Sequence, residues 1–313
     1  MFAYRLAATL AALSFVASFA PAARAQSALP NEARAAVQAE MKAASEAATK
    51  ALIAGPSEIK LGSQATLQLP TAYAFVPAAE ALRLLRAMGN RPGDDLLGMV
   101  VPKGDESWIA TVRYVSSGYI KDDDARDWKA DELLDNIRDG TDEANRERRN
   151  RGIPEMEIIG WVERPAYDAS THRLVWSISS KQKGAADGAE KGVNYNTYVL
   201  GREGYLSLNW VTELAAIERE KPQARALLGA LAFGEGKRYA DFNSSTDRVA
   251  EFGLAALVAG VAAKKLGLLA LIAAFALKFW KVAAIAAVVG IGPLAKFFKR
   301  RRNKSDSPPP PSP

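Results

Sequence analysis

The sequence contains no cysteine and one histidine. Without cysteine there are no disulfides, no thiol nucleophiles and no thiolate metal sites. His172 is the sole possible centre of a histidine-based triad. It follows a turn and opens a strand pattern, which is a structural placement rather than that of a general base. Neither a G-x-S-x-G nucleophile elbow nor an H-E-x-x-H helix occurs. Ser57-Glu58-Ile59-Lys60 and Ser180-Lys181-Gln182-Lys183 fit S-x-x-K, but that pattern is short enough to arise by chance. No Ser-Asp-Asn or Lys-Thr-Gly triplet accompanies it. Gly234-Glu235-Gly236-Lys237-Arg238-Tyr239 lacks both the spacer and the hydroxyl residue of a phosphate loop, and reads as a turn. There is no internal repeat.

What the chain does have lies first at its two ends. Arg5, the apolar run Leu6 to Ala20, the break at Pro21 and Ala23-Arg24-Ala25 make residues 1–25 a cleavable secretory signal. From Leu254 to Ala295 the sequence is almost continuously apolar, interrupted at Lys264, Lys265, Lys278 and Lys281. An ionised lysine at mid-bilayer costs about 2.5–3.5 kcal/mol on insertion scales. This places residues 282–298 as the transmembrane helix and 254–281 as an amphipathic, membrane-proximal segment. Trp280 and Lys281 on one side and Phe297 and Phe298 on the other have the character of interface belts. Lys299, Arg300, Arg301 and Arg302 then form a stop-transfer cluster that prefers the cytoplasmic side. A signal at one end and a basic tail at the other require one crossing. The expected location is the inner membrane, with the main domain periplasmic and the C-terminus cytoplasmic. Residues 299–313 are a basic and Pro-rich tail.

The formal charge of +6 follows from this arrangement. The basic excess belongs to the signal, the membrane region and the tail, and Gln26 to Val261 is net acidic. The charge is therefore a targeting effect, and no nucleic-acid partner is implied. The lipid bilayer is the partner the ends imply.

Between the ends, residues 26–253 read as an exported α+β domain, a mainly antiparallel sheet with packed helices. Asn31 to Leu52, within an N-terminal helical segment 26–54, is Ala-rich and weakly amphipathic. It reads as a helix exposed or packed on a partner. Ile59 to Leu61 and Ala65 to Leu69 alternate as strands, and Pro77 to Met88 reads as a helix. Further strand patterns are Leu97 to Val101, Trp108 to Val115, Glu157 to Val162, His172 to Ser179, Val193 to Leu200 and Tyr205 to Trp210. Turns at Tyr167 to Thr171 and Gly201 to Gly204 imply adjacent hairpins. A polar helical block covers Asp124 to Arg151, broken at Gly140-Thr141. Helices are expected at Val211 to Glu220, at Pro222 to Leu231 with proline in first position, and from Ser245 onward. Trp108, Trp128, Trp161, Trp176 and Trp210 suit a core or a sheet face better than a carbohydrate platform.

The densest candidate chemistry is Asp122, Asp123 and Asp124, with Asp168 as a further acid. Clustered carboxylates can hold a hard cation such as Ca²⁺ or Mg²⁺. EF-hand spacing fails here, because Arg126 stands at the third ligand position and the glycine is missing. The alternative is helix capping and a solvated face. Asp168 in Tyr-Asp-Ala-Ser-Thr also suits an Asx turn. No metal is established, and no cofactor is indicated.

An ordered series of motifs carries a resemblance. It comprises Gly118-Tyr119-Ile120-Lys121-Asp122-Asp123-Asp124-Ala125, then Gly160-Trp161-Val162-Glu163-Arg164-Pro165-Ala166-Tyr167-Asp168, then Val193-Asn194-Tyr195-Asn196. It continues with Leu200-Gly201-Arg202-Glu203-Gly204 and Gly236-Lys237-Arg238-Tyr239-Ala240-Asp241-Phe242. The series resembles a bacterial family of uncharacterised membrane-anchored proteins, a domain of unknown function, over about Gly55 to Phe298. The resemblance implies a signal, an exported domain and a C-terminal anchor, and it supplies no catalytic residue. Three functions stay open. One is a binding or scaffolding module for an envelope protein or a second copy of itself. Small residues from Gly253 to Ala263 would allow close helix approach in such a complex. Another is a metal-assisted hydrolase using Asp122 to Asp124. The third is a channel or transporter subunit with Lys264, Lys265, Lys278 and Lys281 on a polar path.

Overall fold

A computed structural model describes residues 31–259 apart from Asp127 and Arg151. The signal segment, Trp280, Lys281, Phe297, Phe298, Lys299 to Arg302 and all the chain beyond Ala259 lie outside the described residues. Among the described residues no helix is long and apolar enough to cross a membrane.

The strands are β1 (Ile53–Ala54), β2 (Ser57–Leu61), β3 (Ala65–Leu69), β4 (Tyr73–Pro77), β5 (Leu96–Pro102), β6 (Ile109–Val115), β7 (Met156–Asp168), β8 (Arg173–Gln182), β9 (Gly192–Leu200), β10 (Tyr205–Glu213) and β11 (Leu231–Phe233). The helices are α1 (Asn31–Ala51), α2 (Ala78–Ala87), α3 (Ala130–Asn150), α4 (Ile217–Gly229) and α5 (Ala255–Ala259). Eight strands form an antiparallel sheet in the order β1-β4-β5-β6-β10-β9-β8-β7, and a second sheet has the order β11-β3-β2. This is an α+β architecture with helices packed on a large antiparallel sheet.

Period-two alternation divides the core by sheet face. One face presents Tyr73, Phe75, Val100, Trp108, Ala110, Val112, Tyr195, Leu206, Leu208 and Trp210. These pack on Ile59, Leu61, Leu67 and Leu69 of the small sheet and on Ile217, Ala224, Leu227 and Leu228 of α4. The other face is covered in two parts. Ala74, Val76, Met99, Val101 and Ile109 lie under α1 and α2. Leu174, Trp176 and Ile178 lie under Leu133 and Leu134 of α3 and Leu254, Leu257 and Val258 at α5.

Several expectations are corrected by tertiary context. Helix α1 is part of the domain's own core: Ala44 and Ala48 are fully buried against α2 and β4. Its small-residue face allows close approach where a larger apolar stripe was not needed. Arg83 of α2 completes the contact with paired bonds to Glu40 at 2.8 and 3.0 Å. The block from Asp124 starts as a 3₁₀ turn, Asp123–Arg126, and the α-helix begins only at Ala130. Helix α3 then runs unbroken through Gly140-Thr141, with the Thr141 hydroxyl bonding back to the Ile137 carbonyl at 2.8 Å. Buried Asn145 fixes its far half, exchanging two 2.8 Å bonds with the Met156 backbone of β7.

Val211 to Glu213 is not helical. It extends β10, paired to β9 throughout and to β6 at Val211, and the ladder to β9 outweighs local helix preference. One helix, α4, follows and holds Pro222 inside it. Proline there forfeits an intrahelical bond, and the burial of Ile217, Ala224, Leu227 and Leu228 offsets the loss. Leu231 to Phe233 leaves the helix to pair with β3. The chain from Ser245 is extended or turning up to Leu254, and its described helix is only Ala255–Ala259.

Candidate functional site

The three consecutive aspartates take three directions. The Asp122 carboxylate accepts a 2.7 Å hydrogen bond from the Tyr167 hydroxyl. Asp123 is exposed on the 3₁₀ turn. Asp124 accepts the backbone N–H groups of Leu254 and Ala255, each at 3.1 Å, and so caps the start of α5. A side chain at Gly253 would have to displace that carboxylate. Asp168 is separate again. Its oxygens accept from the Ser170 N–H and from the Ser170 and Thr171 hydroxyls at 2.6–2.9 Å, closing the β7–β8 hairpin. These bonds lower its pKa to about 2. Among the described residues no three His, Asp or Glu side chains are grouped to hold a metal ion.

The structure assembles a different set around Asp122. The Tyr167 hydroxyl also lies 3.1 Å from His172 Nδ1. With its proton directed to Asp122, its oxygen accepts the hydrogen of Nδ1. His172 has a left-handed backbone, φ 52°, at the end of the hairpin turn, and its carbonyl accepts the Leu200 N–H at 2.9 Å. Histidine tolerates this conformation better than a β-branched residue would. Its ring stacks on Tyr239 at 4.1 Å, Tyr239 on Tyr119 at 4.4 Å, and Tyr119 on Phe242 at 3.8 Å. The Tyr239 hydroxyl donates to the Ile120 carbonyl at 2.8 Å.

A second knot lies beside the stack. Arg202 donates from Nε and Nη2 to the two oxygens of Asp247 at 2.6 and 2.8 Å. Asp247 also accepts the Asn243 N–H and the Thr246 hydroxyl. Arg202 sits on the β9–β10 turn, which is tied to the 236–238 turn by the Gly201–Arg238 bridge and by Lys237 on Glu203 at 2.8 Å. Tyr119 and Val249 form a parallel bridge. It requires the chain at Gly118, φ 90°, to pass so close to the Arg248 carbonyl that a Cβ would lie 2.6 Å away. The Arg202, Lys237–Glu203, Gly201–Arg238 and Tyr119–Val249 contacts fasten the stretch from Gly236 to Ala259 to one end of the large sheet.

A family model for proteins of unknown function, DUF2167, matches residues 53–290. The chain belongs to this family. No curated protein matches it in sequence. Among solved structures, the cyanobacterial PsbP protein (CyanoP) of Synechocystis sp. PCC 6803 is similar over 59% of this chain and 93% of that one, at 8% identity and a TM-score of 0.35. The Ran-binding protein Mog1p of Saccharomyces cerevisiae is similar over 56% of this chain and 94% of its own, at 9% identity and a TM-score of 0.31.

Of the DUF2167 chain's four candidate acids, the structure brings only Asp122 into a shared network. The missed members are Tyr119, Tyr167, Arg202, Tyr239 and Asp247, and His172, read from the sequence as a structural placement, joins them. All but His172 and Asp247 stand in the quoted motifs, and that shared membership was the available signal. Burial raises the pKa of Tyr167 and Tyr239, and hydrogen bonds to Asp122 and Tyr119 add to it. Tyr195 is likewise raised by burial, to about 12. Above the ordinary tyrosine value of 10.0 the unfolded chain ionises while these folded phenols stay neutral. Stability is therefore complete below pH about 10 and is lost as pH rises toward the folded values. The thermal midpoint is expected to fall steadily above that pH, and Tyr167→Phe to make the fall shallower. A midpoint that does not change across this range would contradict the assignment.

Proposed function

We propose that this protein is a binding or scaffolding module held at the inner membrane, with its α+β domain in the periplasm and its C-terminus in the cytoplasm. The supporting observation is how the motif residues are used. Asp124, Arg202, Gly118, Tyr119 and Tyr239 all fasten the segment that leads into the apolar C-terminal stretch onto the sheet, Arg202 by pairing with Asp247 of that segment. A domain that must present a surface from a membrane anchor gains from such a mount, because fixing its own attachment lowers the entropy lost on docking. The hydrolase reading draws less support, since Asp122, Asp123 and Asp124 diverge rather than converge. The apolar segment 282–298 with its aromatic and basic flanks, together with residues 1–25, supports the topology.

The test has two arms. Alkaline phosphatase fused after Pro313 is expected to be inactive in intact cells, and fused after Ala259 to be active. An active C-terminal fusion would reject the single-pass orientation. Cross-linking in intact cells followed by purification of the tagged chain is expected to recover a stoichiometric partner or a second copy. Recovery of the chain with neither would reject the scaffolding role and return weight to an enzymatic one.

A further inference from the structure

Helix α1 is twice as long as the helix it packs on. It has 21 residues and α2 has 10, or about 31 Å against about 15 Å at the α-helical rise. The α1 side chains that reach the core are Met41, Ala44 and Ala48, all in its second half. From Ala35 to Glu40 none is buried, and Ala35, Ala36, Gln38 and Ala39 are exposed. Glu40, paired with Arg83 of α2, marks the junction. Asn31 to Glu40 is therefore an overhang, a helix whose sides are largely free of the domain that carries it. Helical segments this short take most of their stability from packing one face on a neighbour.

A surface of the right shape lies at the root of the overhang. Ala79, Leu82, Arg83, Arg86 and Ala87 recur at i, i+3, i+4, i+7 and i+8, one stripe of α2. This stripe is opposite the buried one of Ala81, Leu84 and Leu85. Together with Glu40 it lines a groove of about 580 Å³, with Ala79, Leu82 and Ala87 as the apolar part and the arginines at the rim. A stripe of this kind beside a second helix is the setting in which a third helix docks. A two-fold axis through the overhangs of two copies sets them antiparallel, so that Asn31 of each arrives level with Glu40 of the other, at the mouth of the groove. The small side chains there allow the axes to approach to about 8–10 Å. One symmetric contact then gives each overhang a groove and each groove a helix. Two reciprocal contacts, each about 15 Å long and 10–12 Å wide, bury on the order of 1,000 Å² in all, enough for a specific interface.

We infer that two copies of the chain dimerise by laying the α1 overhang of each into the α2 groove of the other. This rests on the binding role proposed above and names its partner as a second copy. The experiment measures the protein mass of the full chain in detergent by sedimentation over a concentration series. Twice the mass of one chain is expected. Ala79→Arg puts a long charged side chain into the groove from an exposed helical position. Ala36→Pro breaks the overhang ahead of Met41. Neither position belongs to the core clusters, so the unfolding midpoint should be kept in both, while the dissociation constant of the dimer rises at least about tenfold. A wild-type chain that sediments as a single copy overturns the proposal. So does a dimer that either variant leaves at full affinity, because its contacts then lie elsewhere. Cross-linking that recovers a different protein in place of a second copy also overturns it, and leaves the scaffolding role standing.

Discussion

Trp210→Ala is expected to destabilise the domain by about 3–5 kcal/mol, the range for deleting a fully buried large aromatic side chain. Trp210 has no accessible surface and stands at the centre of the large sheet, between Tyr195 of β9 and Ala110 of β6. Its ring stacks on Trp108 with centroids 3.5 Å apart, and Tyr73 meets Trp108 edge-on at 5.1 Å. Removing it opens a cavity under α4 and strips one face of Trp108. There is a second cost. The Trp210 Nε1–H donates at 3.1 Å to Glu220 Oε2, and Glu220 is 1% accessible. The nearest cation, Arg219, stands 3.9 Å away and is mostly exposed. Without the indole the carboxylate loses a donor in a place water does not reach. Two variants separate the terms. Trp210→Phe keeps a stacking ring and loses the donor, so it should cost clearly less than alanine. Glu220→Gln keeps an acceptor for the indole and should change stability little. Denaturant unfolding followed by circular dichroism gives all three. An alanine variant that loses under about 1 kcal/mol would place Trp210 outside the cooperative core.

The elements legible in the sequence were those whose local pattern agrees with their tertiary setting. The alternation in Ile59 to Leu61 and Ala65 to Leu69 survives as β2 and β3, because one side of each strand faces the core and the other does not. The turns at Asp168 to Thr171 and Gly201 to Gly204 close hairpins because their side-chain and glycine chemistry is local. Where the outcome depended on distant partners, the pattern misled. Val211 to Glu213 looks helical by period and is held extended by β9. Leu231 to Phe233 becomes a strand only because β3 offers an edge. The candidate site divides in the same way. The aspartate run is visible as composition, but a 3₁₀ turn points its members apart, and a one-dimensional pattern carries no such direction. Tyr167 meets Asp122 from 45 residues away, and Arg202 meets Asp247 across the same separation.

Arg202→Ala is expected to release the segment from Gly236 to Ala259 from the sheet while the rest of the domain stays folded. The paired Arg202–Asp247 bonds are the strongest single fastening of that segment, because both partners are ionised and the geometry is bidentate. Arg202 also donates to the Gly236 carbonyl at 3.3 Å, so one side chain ties the start of the segment to its middle. With the arginine gone, Asp247 keeps only neutral donors, while its side chain, 7% accessible, stays largely shielded from water. Amide hydrogen exchange should then quicken about tenfold or more at Tyr119, Ala250, Leu254 and Ala255, whose N–H groups are bonded across the released contact. Amides of β9 and β8 should hold their rates. Asp247→Asn is expected to give the same pattern. The double variant should be no worse than either single one, since the two groups act as one unit. Acid provides an independent reading. Arg202 chiefly, with the Asn243 N–H, holds the Asp247 carboxyl well below the ordinary value of 3.8. A depressed carboxylate contributes stability that is complete above its unfolded value and is lost as pH falls through its folded one. The segment should therefore loosen in the wild type only as pH drops below about 4, and Arg202→Ala should show little of that dependence. If exchange quickens evenly over the whole sheet, the segment is an integral part of the core, and the mount proposed for the anchor loses its basis.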